Sequence, residues 1–63
     1  GDDTLALMAA NKVRNRFAEL DWQDFQRKMM AYLLRKGFSY EVVTPTIKMA
    51  WRDLQNDKKI NGK

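Results

Sequence analysis

The sequence LLRKGFSYEVV at residues 33–43 constrains the fold most, because it is typical of one helix ending and the next beginning with almost no loop. Gly37 can adopt the left-handed backbone that ends many helices without a Cβ penalty. Phe38 then stands where a Schellman motif places an apolar contact with Leu33. Ser39 can cap the next helix with its hydroxyl. Together these signals predict a tight helix-turn-helix corner at Gly37.

Three segments around this corner carry apolar residues at helical spacing. The first helix is predicted from a cap at Asp3 or Thr4 to about Glu19, and the second begins after a cap at Asp21. The predicted core positions are Leu5, Ala6, Ala9, Ala10, Val13, Phe17 and Leu20 in the first helix, Trp22, Phe25, Met29 and Leu33 in the second, and Tyr40, Val43, Ile47, Ala50, Trp51 and Leu54 in the third.

Short turns make consecutive helices neighbours, so the sequence predicts an all-α three-helix bundle. We expect one domain over residues 3–56 and a flexible tail over residues 57–63. Pro45 does not fit a regular third helix, because it removes the backbone donor to the carbonyl of Glu41 and crowds that carbonyl. Either a kinked helix runs from Tyr40 to about Asn56, or a single turn precedes a helix in which Pro45 is the first residue. We favour the kinked continuous helix.

The composition argues against an enzyme. The 63 residues contain no cysteine and no histidine, which excludes disulfides, thiolate nucleophiles and the usual zinc sites. Ser39 is the only serine and has no imidazole to activate it. We therefore expect no catalytic residues, no cofactor and no metal. The apolar runs are too short to span a membrane, so we expect a cytoplasmic protein.

Several apolar residues are predicted to lie outside the core. Leu7 and Met8 fall away from the first helix's stripe, and Val42 and Met49 fall opposite that of the third. Such a surface suits contact with another protein, or self-association of the isolated chain. The chain begins with Gly1 rather than Met, which we interpret as an excised piece of a longer protein.

A net charge of +4 favours an acidic partner. The cations predicted to face outward are the candidate contact residues for an acidic protein surface or for the phosphates of single- or double-stranded DNA: Arg27, Lys28, Arg35, Lys36, Lys48 and Arg52. A free-standing helix-turn-helix DNA-binding module is the alternative interpretation. The beginning of its recognition helix would be Tyr40, Glu41 and Val42, which is poor in base-reading side chains.

The segment RKMMAYLLRKGFSYEVV at residues 27–43 resembles the C-terminal repeat of the RecX regulatory proteins. Those repeats carry a basic helix, an Arg/Lys-Gly-Phe corner and a Ser-Tyr-Asp/Glu-Val/Ile helix start. The similarity extends more loosely from about Ala9 to Leu54. Pro45 departs from the family pattern.

The resemblance implies one three-helix repeat of a larger bacterial protein. Members of the family bind the RecA filament on single-stranded DNA, lie in its helical groove and inhibit its ATPase and recombination activities, so the resemblance implies a role in DNA repair and the SOS response. By similarity, this chain would contribute part of that contact, with the six outward cations as the contact residues. A purely structural spacer repeat is a third interpretation.

Overall fold

The computed structural model describes the backbone of residues 1–61 and the side chains of residues 1–57. Three helices follow one another: α1 (Asp2–Val13), α2 (Trp22–Arg35) and α3 (Tyr40–Asn61). No strand occurs among these residues. α3 packs closely against both other helices, whereas α1 and α2 contact each other less. The predicted all-α three-helix bundle is confirmed.

The core is formed where α3 faces the other two helices. Trp51 packs against this core, and its ring is 4.9 Å from that of Phe25 and 5.4 Å from that of Trp22, both in tilted arrangements. The fully or nearly fully buried apolar cluster comprises Ala10, Val13, Phe25, Met29, Leu33, Val43, Ile47, Ala50 and Leu54. All of these residues were predicted in the core.

The corner between α2 and α3 has the predicted geometry. Gly37 has a φ of +103°, which is strained for a residue with a Cβ. The Gly37 N–H donates to the carbonyl of Leu34 at 3.0 Å, and the Phe38 N–H donates to that of Leu33 at 3.2 Å. These two bonds are those of a Schellman motif. Phe38 is half-buried against the core.

The predicted caps of α2 and α3 differ in their chemistry. The Asp21 side chain accepts from the Asp24 N–H at 2.9 Å and so caps α2 as expected. Ser39 directly precedes α3, but its backbone carbonyl accepts from Val42 and Val43 at 3.1 and 2.9 Å. In the side chains that the structure describes, the Ser39 hydroxyl has no hydrogen-bond partner.

α1 begins slightly earlier than predicted, at Asp2, and ends earlier than predicted, at Val13. Gly1 precedes its first residue, and the expected Asp3 or Thr4 cap is wrong. The helix ends at Val13 rather than near Glu19, because the following backbone changes from helical bonds to a series of tighter bonds that each span three residues. These turns still bring Phe17 and Leu20 against the core.

α3 runs without interruption through Pro45, which confirms the continuity of the kinked helix that we favoured over a helix starting at Pro45. Two threonines beside the proline bind helix carbonyls: Thr44 Oγ1 donates to Tyr40 at 3.0 Å and Thr46 Oγ1 donates to Val42 at 2.8 Å. The helix continues to Asn61, beyond the expected end at Asn56. The residues predicted as a tail, 57–63, therefore begin as helix, and residues 62 and 63 lie outside the described part of the chain.

Four side chains lie where the helical wheel did not place them. Tyr40 and Leu5, both predicted in the core, are 62% and 56% exposed. Leu5 lies uncovered because α1 packs mainly on α3 and only slightly on α2. Thr46, which was not among the predicted core positions, is only 4% exposed, and Val42, predicted to lie opposite the core stripe of the third helix, is half-buried. The buried arc of α3 is therefore broader than predicted, since two helices cover it.

Candidate functional site

The six predicted contact residues do not all line one depression. Lys28 and Arg35, two helical turns apart on α2, line a shallow pocket of about 260 Å³. Its remaining lining comes from Phe17, Ala31 and Tyr32. The Lys36 ammonium lies over the ring of Tyr32, 5.4 Å from the centroid, in a cation–π contact. We call the five lining residues together with Lys36 the Tyr32 pocket. It contains three of the six predicted cations: Lys28, Arg35 and Lys36.

The other predicted cations lie elsewhere. Lys48 lines a smaller groove of about 80 Å³ between α2 and α3. This groove is otherwise lined by Trp22, Gln26, Met30, Tyr40, Thr44 and Ile47. Arg52 is exposed on α3 and lines neither depression. Arg27, exposed on α2, also lies outside both.

Some of the cations form ion pairs with carboxylates, and others do not. Arg27 donates to Asp24 at 2.8 Å, and Arg14 donates to Asp57 at the same distance. In the described part of the chain, the Tyr32 pocket cations pair with no carboxylate. The macrodipole of α2 accounts for Arg35 and Lys36 at its end, but Lys28 lies in the middle of the helix.

The sequence predicted the three cations of the pocket as exposed residues, but it did not predict that Phe17 and Tyr32 would lie beside them. Phe17 was predicted as part of a regular α1 stripe, and the turns after Val13 instead bring it beside α2. Lys28, Tyr32 and Arg35 have the i, i+4, i+7 spacing of one helix face. That spacing is the signal that could have identified an aromatic ring between two cations.

The predicted apolar contact surface is present only in part. Met8 and Met49 are exposed, whereas Leu7 and Val42 are half-buried. Within the described range, no group of carboxylates is suited to holding a metal ion. No helix searched there is long and apolar enough to cross a membrane.

Comparison with models of protein families shows the family of the chain. A family model described as RecX, third three-helix domain, matches residues 2–46. The chain belongs to the RecX family. This match confirms the resemblance found at the Gly37 corner, and RecX proteins are regulators. No curated protein and no solved structure is a significant match to the chain.

The RecX match covers α1, α2, the corner and the beginning of α3 through Thr46. All six residues of the Tyr32 pocket fall within it. Lys48 and Arg52 lie beyond its end. The part of α3 that carries them is therefore not covered by the family similarity.

Proposed function

We propose that this RecX domain contributes to binding of the RecA recombinase filament and to inhibition of its recombination and ATPase activities. The observation that carries the proposal is the match of residues 2–46 to the third RecX domain. The exposed cations support it, because a filament that includes DNA and acidic side chains offers many negative groups.

The contact residues we propose are the six outward cations, with unequal roles. Arg27 already donates to Asp24, so part of its charge is compensated before any partner binds. Lys28, Arg35 and Lys36 have no such partner among the described side chains and lie together. We therefore expect the Tyr32 pocket to contribute more to the contact than Arg27, Lys48 or Arg52.

An independent DNA-binding role is less well supported by the geometry. A recognition helix reads bases with polar side chains near its beginning. In α3 that beginning carries an exposed tyrosine, Tyr40, and an exposed acid, Glu41, which repels phosphates. Contact with DNA phosphates inside the filament remains compatible with the proposal.

The test replaces five of the six proposed cations by alanine in the full-length protein and leaves Lys36, whose ammonium lies over the ring of Tyr32, unchanged. The changed residues are Arg27, Lys28, Arg35, Lys48 and Arg52. Since all five are exposed, the variant should melt like the wild-type protein by circular dichroism. It should inhibit the DNA-dependent ATPase and strand exchange of RecA less strongly. Inhibition equal to that of the wild-type protein would refute the proposal.

A salt series separates protein docking from DNA binding. Affinity for single- and double-stranded DNA is measured for the protein without RecA at increasing ionic strength. A DNA-binding module would show measurable affinity with a steep slope against salt, because phosphate contacts release counterions. The RecA-docking proposal predicts little binding to DNA alone.

A further inference from the structure

We infer that the Tyr32 pocket binds an acidic protein segment that inserts one apolar side chain between its cations. The identity of the protein that supplies this segment rests on the proposed function. The chemistry of the segment is inferred from the pocket alone. Its basis is a shallow depression whose lining combines apolar surface with cations that pair with no described carboxylate.

The lining of the pocket selects an apolar side chain. Phe17, Ala31 and Tyr32 provide ring and methyl surface in a depression of about 260 Å³. Ala31 is exposed and small, so it leaves open the space that a longer side chain would fill. Apolar pockets of this kind commonly hold the anchoring residues of a protein interface.

The cations of the pocket select negative charge. Lys28 and Arg35 stand on the same lining as the aromatic rings, and Lys36 lies over Tyr32. Carboxylates that flank the inserted side chain would meet these cations and form charge-assisted hydrogen bonds. Electrostatic complementarity of this type also accelerates encounter between the partners.

The geometry favours a protein segment over a nucleic-acid strand. Non-specific binding of single strands combines a long basic groove with ring faces on which bases stack. Here one face of Tyr32 is occupied by the Lys36 ammonium, and Phe17 is half-buried against the core. The other three predicted cations, Arg27, Lys48 and Arg52, do not line this pocket.

The test uses defined probes and nuclear magnetic resonance of the ¹⁵N-labelled protein. The first probe is a blocked pentapeptide with phenylalanine between two pairs of glutamates. The second replaces the phenylalanine by glycine, and the third is a single-stranded oligothymidylate. We expect the phenylalanine peptide to shift the amides of Phe17, Ala31 and Tyr32 at millimolar concentration, and the glycine peptide to bind about tenfold more weakly.

Two variants separate shape from charge. Ala31→Leu fills the pocket without changing charge and with little change in helix propensity, and should weaken peptide binding about tenfold. Lys28→Glu with Arg35→Glu should weaken it about tenfold or more. The matched control, Lys12→Glu with Arg16→Glu, changes the net charge equally at exposed positions outside the pocket lining. It should bind the peptide nearly as well as the wild-type protein.

The inference would be overturned if the phenylalanine peptide shifted no pocket amides, if Ala31→Leu left binding unchanged, or if both double variants lost binding equally. Stronger shifts of these amides by the oligonucleotide than by the peptide would assign the pocket to nucleic acid instead. Failure of the wild-type full-length protein to inhibit RecA would refute the proposed function alone, because the peptide measurement does not involve RecA.

Discussion

The guanidinium of Arg14 lies between two carboxylates of α3, donating to Asp57 at 2.8 Å and approaching Asp53 at 3.9 Å. Arg14 directly follows the last residue of α1, and Asp57 lies 43 positions further along the chain. The side chain of Arg14 is only 21% exposed. This pair joins the end of α1 to the later part of α3, beyond the region matched by the family model.

Replacement of Arg14 by methionine should lower the free energy of unfolding by about 1 kcal/mol. Exposed ion pairs contribute about 0.2–1 kcal/mol, and a half-buried cation between two acids belongs at the upper end of that range. A double-mutant cycle with Asp57→Asn, measured by urea denaturation, isolates the pair. A coupling energy of zero would show that the contact contributes nothing. Arg16→Met, at an exposed neighbouring position, is the control.

Replacement of Gly37 by alanine should destabilise the bundle by about 1–2 kcal/mol. A Cβ built at Gly37 meets no atom within 4 Å, so the cost arises from the φ of +103° and not from a clash. Thermal and urea unfolding followed by circular dichroism measure the change. Stability equal to that of the wild-type protein would contradict the Schellman geometry assigned to the corner.

Replacement of Ser39 by alanine should change the free energy of unfolding by less than about 0.5 kcal/mol. Loss of a hydrogen-bonding serine cap commonly costs about 1 kcal/mol, but α3 begins on the Ser39 carbonyl, which alanine retains. The same denaturation measurement distinguishes the two cases. A loss near 1 kcal/mol would mean that the hydroxyl caps the helix in solution.

Replacement of Pro45 by alanine should stabilise the protein by about 1–2 kcal/mol. Alanine restores the donor to the Glu41 carbonyl and removes the ring that crowds it, and the greater freedom of the unfolded chain offsets part of that gain. Pro45 is exposed, so no core contact is lost. A destabilised variant would instead show that α3 needs the proline to pack on both neighbouring helices.

Local chemistry made the corner and α2 predictable from the sequence. Glycine followed by an apolar residue at a helix end is typical of a Schellman motif, which Gly37 and Phe38 form. Phe25, Met29 and Leu33 repeat at helical spacing and are buried. The end of α1 carried no comparable signal. No glycine or proline marks the position after Val13, where the backbone tightens into turns.

Packing decided the features that the sequence did not predict. A helical wheel gives the angle of a residue but does not say whether a neighbouring helix covers that angle. Tyr40, at the first position of α3, is therefore exposed despite its core angle, and Thr46 is buried because α3 is covered on two sides. The Tyr32 pocket depends on Phe17, which arrives from outside α2.

The most direct test titrates RecA ATPase activity on single-stranded DNA with full-length protein carrying either pair of charge reversals. We predict that Lys28→Glu with Arg35→Glu raises the half-inhibitory concentration about tenfold or more, since both cations lie on the proposed contact surface. Lys12→Glu with Arg16→Glu should inhibit like the wild-type protein. A pocket variant whose inhibition curve overlaps that of the wild-type protein would contradict the proposal.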